Sequence, residues 1–157
     1  MEVCSCGRSY QPMKNGSLES ELLLVLDEPS DEDLEAGVLL GKPKRVTSLR
    51  DILIEEFNKA GLSLYDFRVT SFYPHQKGKR QCLETAMSDL ATEIQPRSAV
   101  LILGGTWLKT TEEFFNLFLI PGYFLGRKAI IVPNTPYNGL GEFRLGLERF
   151  KNWIAEV

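Results

Sequence analysis

The chain has 157 residues, with 18 Lys plus Arg against 21 Asp plus Glu and one His, a formal charge of −3. Its 43% hydrophobic and 25% charged residues are a globular balance, which excludes a disordered chain, a collagen-like repeat and a coiled coil. The length suits one domain, and no apolar run approaches the ~20 residues needed to span a bilayer. The longest, Phe114 to Tyr123, is interrupted by Asn116 and Pro121 and reads as core. The opening Met-Glu-Val-Cys-Ser-Cys has no basic stretch followed by an apolar one, so no signal peptide is expected. Three cysteines, an odd count, point away from a secreted disulfide framework. The expectation is a cytoplasmic single domain with no membrane partner.

Residues 1–20 are polar, with scattered Gly, Pro and Ser, and read as a tail or a small appended element; residues 21–157 form the domain proper. Glu21–Asp27 is a short apolar run suited to a buried strand. Residues 28–47 contain Pro29, Gly37, Gly41 and Pro43 and read as a long loop. Ser48 caps a helix to about Ala60 with Leu49, Ile52, Leu53, Phe57 and Ala60 on one face, and Gly61 stops it. Phe67–Tyr73, rich in β-branched and aromatic residues, is the second strand, ended by Pro74. After the basic segment His75–Arg80, the stripe Leu83, Ala86, Met87, Leu90, Ala91, Ile94 predicts a helix. Ala99–Leu103 is the third strand; Gly104-Gly105-Thr106 opens onto another helix. Ala129–Val132 is the fourth strand, stopped by Pro133, and a last helix buries Phe143, Leu147, Phe150 and Ile154.

Strands separated by helices need crossover connections. The pattern therefore predicts an α/β three-layer sandwich, a four-stranded mainly parallel sheet with helices on both faces and its site outside the carboxyl ends of the strands. Four segments then share one rim: Asp27, Glu28, Pro29 and Ser30; Ser71, Tyr73, Pro74 and His75; Gly104, Gly105 and Thr106; and Asn134 to Asn138. Together they offer acids, hydroxyls, an amide and glycine backbone, a mix suited to a base or sugar edge and a phosphate. Each also has a plainer reading as turn chemistry. Gly104-Gly105-Thr106 lacks the following Gly-Lys-Ser/Thr of a Walker A loop. His75 stands beside no nucleophile and by itself reads as a solvated loop histidine. Lys77, Lys79 and Arg80 are either a solvated cluster or cations for phosphates, joined by Lys42 and Lys44.

The order of these pieces, from about Leu22 to the C-terminus, resembles the uracil-DNA glycosylase superfamily, most closely its iron–sulfur branch. That branch has Gly-Glu-Ala-Pro-Gly after its first strand, an acidic-glycine loop and a Pro-Phe-Val-Gly turn. Here the corresponding run is Val25-Leu26-Asp27-Glu28-Pro29-Ser30, then Asp31-Glu32-Asp33, Gly37 and Val38-Leu39-Leu40-Gly41. Gly61-Leu62-Ser63 after the helix, Val69-Thr70-Ser71 leading into 74–80, Pro96 through Leu108, and Asn134-Thr135-Pro136-Tyr137 follow in the same order. The resemblance implies a carboxylate at Asp27 or Glu28 that positions water or stabilises a cationic sugar. It implies a pocket lined by Leu39, Ser71 and Tyr73, and DNA contacts from Lys77, Lys79, Arg80, Gly104, Gly105 and Thr106. The motifs depart at the site. Leu39 falls where an aromatic ring stacks on the base, Ser71 where an asparagine reads the base edge, and Thr135, with Asn134 beside it, where a histidine stabilises the leaving base. The implied function is DNA binding, to a single strand or a flipped base, with base excision lost or strongly altered and a replication or repair protein as partner. The alternative is an active glycosylase acting on uracil or another deaminated base.

The branch holds its cluster with two N-terminal cysteines, one ligand in the loop after the second strand and one on the next helix. Cys4, Cys6, His75 and Cys82 stand at those places, so the resemblance implies a zinc or iron–sulfur site, with a loose tail and a partly buried Cys82 as the alternative. The spacing differs: one residue, not two, separates Cys4 from Cys6, and Cys82 comes about one turn early.

Overall fold

A computed structural model describes residues 1–41, 48–104, 117–133 and 139–156. A five-stranded sheet organises them: β3 (Leu22–Leu26), β4 (Phe67–Ser71), β5 (Ala99–Leu103), β6 (Gly122–Phe124) and β7 (Arg127–Val132) in the order β4-β3-β5-β7-β6. Before it, β1 (Glu2–Val3) and β2 (Ser9–Tyr10) make a small antiparallel hairpin. The sheet pairs β4, β3, β5 and β7 in parallel, with Leu22 opposite Phe67 and Ala99, and Leu101 opposite Ile130. These are the four strands expected. The sheet is nevertheless mixed, because β6 adds a fifth strand antiparallel to β7. β6 is three residues long and joins β7 through Leu125 and Gly126, both at positive φ (48° and 79°). That is the backbone of a tight two-residue hairpin turn, but it lacks the Asn-Gly or Asp-Gly signature that would reveal it in sequence.

Alternation along the strands sends side chains to two cores. Leu24, Leu26, Val69, Leu101, Leu103, Ile130 and Val132 face one side, where α2 (Leu49–Lys59) and α4 (Leu140–Ala155) bring Leu53, Phe57, Phe143, Leu147 and Phe150. Leu23, Val25, Val100, Ile102, Ala129 and Ile131 face the other, where α3 (Leu83–Ile94) brings Ala86, Leu90 and Ile94 together with Cys4 and Cys82. Buried on both faces, the central strands β3 and β5 read as unbroken apolar runs rather than alternating ones.

The structure refines three expectations. Residues 28–47 are not all loop: α1 (Asp31–Ala36) begins with a capping box, Ser30 and Asp33 each bonding the other's backbone N–H, and ends at Gly37 with φ +78°. Residues 1–20 are not a loose tail, since Cys4 and Met13 are buried and Asn15 exchanges two backbone hydrogen bonds with Val69 on the outer edge of β4. The run Phe114 to Tyr123 is not simply core. Leu117 is buried, but Ile120 and Tyr123 are exposed at the sheet edge, where Tyr123 packs edge-on against Trp153; positions 114–116 lie outside the described residues. Among the described residues no helix is long and apolar enough to cross a membrane.

Candidate metal centre

The hairpin turn between β1 and β2 carries Cys4 and Cys6. The Cys4 N–H donates to the Arg8 carbonyl (2.8 Å), the Gly7 N–H donates to the Cys4 carbonyl (2.8 Å), and Gly7 sits at φ +91°, which glycine adopts without steric cost. The tight turn points both thiols inward. His75 follows β4 by four residues, and Cys82 ends a 3-10 turn, Arg80–Cys82, that runs straight into α3. The ligand atoms of Cys4, Cys6, His75 and Cys82 lie within 4.8 Å of one another, close enough to hold a metal ion. His75 is 6% exposed, so it is no solvated loop histidine.

The surroundings set the chemical state of each group. The Nδ1 of His75 is 2.8 Å from the Gln76 carbonyl, a bond that needs the proton on Nδ1 and leaves the Nε2 lone pair free. Nε2 then faces Cys6 Sγ at 3.4 Å and Cys82 Sγ at 3.6 Å. Arg8 steadies this arrangement by donating to the same Gln76 carbonyl (2.9 Å). Burial opposes ionisation of Cys4, but the Cys6 backbone N–H and His75 outweigh it and hold this thiol below the ordinary value. The Arg8 backbone N–H does the same for Cys6, helped by the charge of Lys79. Burial pushes the Cys82 thiol up to about 11, against the Lys79 backbone N–H.

Ser5, between the two hairpin cysteines, ties the turn to α3. Its hydroxyl donates to the Gln81 carbonyl (2.6 Å) and accepts from the Thr85 N–H, while its own N–H donates to Thr85 Oγ1 (2.7 Å). No side chain of the helix's own N-cap residue bonds that first turn, so Ser5 caps it from a distance.

At the carboxyl ends of the strands, Leu26 pairs with Ser71 and Leu103 with Val132, placing Asp27, Ser71 and Gly104 along one edge of the sheet. Asp27 and Glu28 are half-buried there. Glu28 accepts from the Gly78 N–H (3.2 Å) and so meets the basic segment, in which Lys77, Lys79 and Arg80 are all exposed. The expected pocket residues are engaged internally. Leu39 is fully buried, and its carbonyl accepts from the Asn15 side chain (2.7 Å). Ser71 donates its hydroxyl to the Tyr73 carbonyl (2.7 Å) and borders a cavity of about 120 Å³ with Tyr10, Pro12, Met13, Lys14 and Pro74. Tyr73 is buried, with Gly78 against its ring. The Gly104 N–H extends the sheet by donating to Val132 (2.7 Å). Asn134, Thr135, Gly105, Thr106, Lys42 and Lys44 lie outside the described residues.

Sequence reasoning missed Ser5, Arg8 and Gln76, the residues that orient the ligands. Only their position beside a cysteine or histidine could have marked them. No family model matches the chain, and no curated protein matches it.

Proposed function

We propose that the chain is a uracil-DNA-glycosylase-like DNA-binding protein in which base excision is lost or strongly altered, acting as an accessory in DNA replication or repair. One observation carries this reading: the candidate ligands come from the N-terminal turn, the loop after β4 and the start of α3, and they meet at one point. Those are the three places from which the iron–sulfur branch draws its ligands, and nothing in composition or periodicity requires them to converge. The reading includes a metal held by Cys4, Cys6, His75 and Cys82, a zinc ion or an iron–sulfur cluster. The parallel order β4-β3-β5-β7, with the strand ends on one edge, is compatible with it.

Loss of excision is supported at the rim. Base readout needs donors and acceptors aimed into an open pocket, and Leu39, Ser71 and Tyr73 are buried or turned onto the protein's own backbone. Each well-aimed donor lost from such a site costs ~10²–10³ in rate. DNA contact falls to Lys77, Lys79 and Arg80, exposed on one segment. The second reading, an active glycosylase, is favoured by the half-buried Asp27 and Glu28 on the same edge as that segment.

Fluorescence anisotropy with single-stranded oligonucleotides, with and without uracil or hypoxanthine, tests both. Three neutralised phosphates give a slope of log K against log salt of about −2. Lys77→Ala, Lys79→Ala and Arg80→Ala should each flatten it by roughly a third. Alkali-labile abasic sites that disappear with Asp27→Asn or Glu28→Gln would establish the active enzyme. Neither salt-sensitive binding nor abasic product would overturn both.

A further inference from the structure

The close spacing of the four candidate ligands favours a single ion over an iron–sulfur core. In a core with more than one iron, thiolates on different irons are held apart by the inorganic core between them. Here every pair of ligand atoms lies within 4.8 Å. Around one tetrahedral ion, with metal–sulfur bonds of about 2.3 Å and metal–nitrogen bonds of about 2.0–2.1 Å, sulfur–nitrogen edges are about 3.6 Å and sulfur–sulfur edges about 3.8 Å. The two His75 Nε2 to sulfur separations, 3.4 and 3.6 Å, match such an edge.

We infer that Cys4, Cys6, His75 and Cys82 form a closed, mononuclear zinc site, replacing the multi-iron cluster of the branch this chain resembles. The donor chemistry fits: three sulfurs and one imidazole nitrogen, two of the sulfurs from a tight hairpin turn, are a known structural-zinc set. The outer contacts fit too, because the Gln76 carbonyl fixes the His75 tautomer that a metal requires. On binding, each of the three thiols gives its proton to solvent, His75 stays neutral, and no electron is transferred. Three thiolates and a divalent ion leave one negative charge, close to Arg8 and Lys79. All four positions are filled by protein, so the ion holds the fold together and presents no open place to substrate. The inference rests on the ligand geometry and is independent of the nucleic-acid reading.

The test uses the full chain purified without added metal, then anaerobically reconstituted in parallel with zinc, with cobalt(II), or with iron and sulfide. Expected are one zinc per chain by elemental analysis, the visible bands of tetrahedral cobalt with thiolate charge transfer, and no retained sulfide. X-ray absorption at the zinc edge should give three sulfurs, one nitrogen and no second metal. Cys4→Ser and Cys82→Ser should lose the ion on desalting. If these fail to fold, His75→Cys serves instead: it keeps one zinc and strengthens the cobalt charge-transfer band. Retained sulfide with more than one iron per chain, or no metal retained at all, would overturn the inference, whatever the oligonucleotide experiments give.

Discussion

Gly78 lies against the face of the Tyr73 ring, where an added Cβ would clash with the ring carbon Cγ. The ring is buried, so a methyl at position 78 must push the ring or its own backbone aside, and Gly78→Ala should cost about 1–3 kcal/mol, read from the urea midpoint. The same shift breaks the bond from the Gly78 N–H to Glu28, so the basic segment should detach from the rim and its amides should exchange faster. Asp33 is equally constrained: it is buried, and one oxygen accepts from Ser30 N–H while the other accepts from Leu40 N–H (both 2.8 Å). These single-residue devices are faint in sequence. A glycine between two lysines looks like simple loop flexibility, and nothing near it announces a tyrosine ring. Ser30-x-x-Asp33 followed by Gly37 was a legible signal for α1, overridden by reading Pro29 and Gly37 as loop markers.

Between elements, α2 and α4 are joined across their shared face by Glu56 and Arg144 (2.8 and 3.0 Å), with Lys59 alongside. Hydrogen bonds from Arg144 hold the Glu56 carboxyl below the usual carboxylate range, against the burial that opposes its charge. Because the folded value lies below the unfolded one, the pair stabilises the protein above the ordinary glutamate pKa of about 4.3, and the contribution is lost as pH falls through the folded value. Arg144 is half exposed, so solvent screens the pair and Arg144→Ala should lower Tm only modestly at pH 7. The melting curves of variant and parent should converge as the pH falls through that lowered value. The helices themselves were legible: α2, α3 and α4 fall where the apolar stripes and Ser48 put them, because each buries one face against the sheet. Gly146 was not marked, although it lets α4 approach Val132 to a distance that any Cβ would obstruct. β6 escaped notice because three residues after a proline give too little alternation to read.

At the scale of the whole molecule, the hairpin β1–β2 has two residues per strand, too few to persist alone in water. Its attachments include the Ser5 contacts, the Arg8 bond to the Gln76 carbonyl and the four candidate ligand atoms. A ligand bound at a thousand times its Kd stabilises a fold by about 4 kcal/mol, which for a chain this size is roughly 10 °C in Tm. Chelation should therefore lower Tm by about that much and expose the amides of residues 2–10 and 75–82 to exchange, while β3, β5 and β7 stay protected. The four parallel strands and the two cores could be read from the chain, the fifth strand could not, and the joining of the first residues to the eighty-second rested on family resemblance alone.

That joining also shapes how the polypeptide finds its form. Cys4 and Cys82 bracket β3, α1, α2 and β4, so an ion that stays attached during unfolding turns this first half into a closed ring. Inside the ring β3 and β4 are already brought near each other, whereas β5 must arrive from outside against the other side of β3, and β7 against β5. A metal-loaded chain should thus recover its β3–β4 pairing ahead of the rest, and the apo chain should lose that head start.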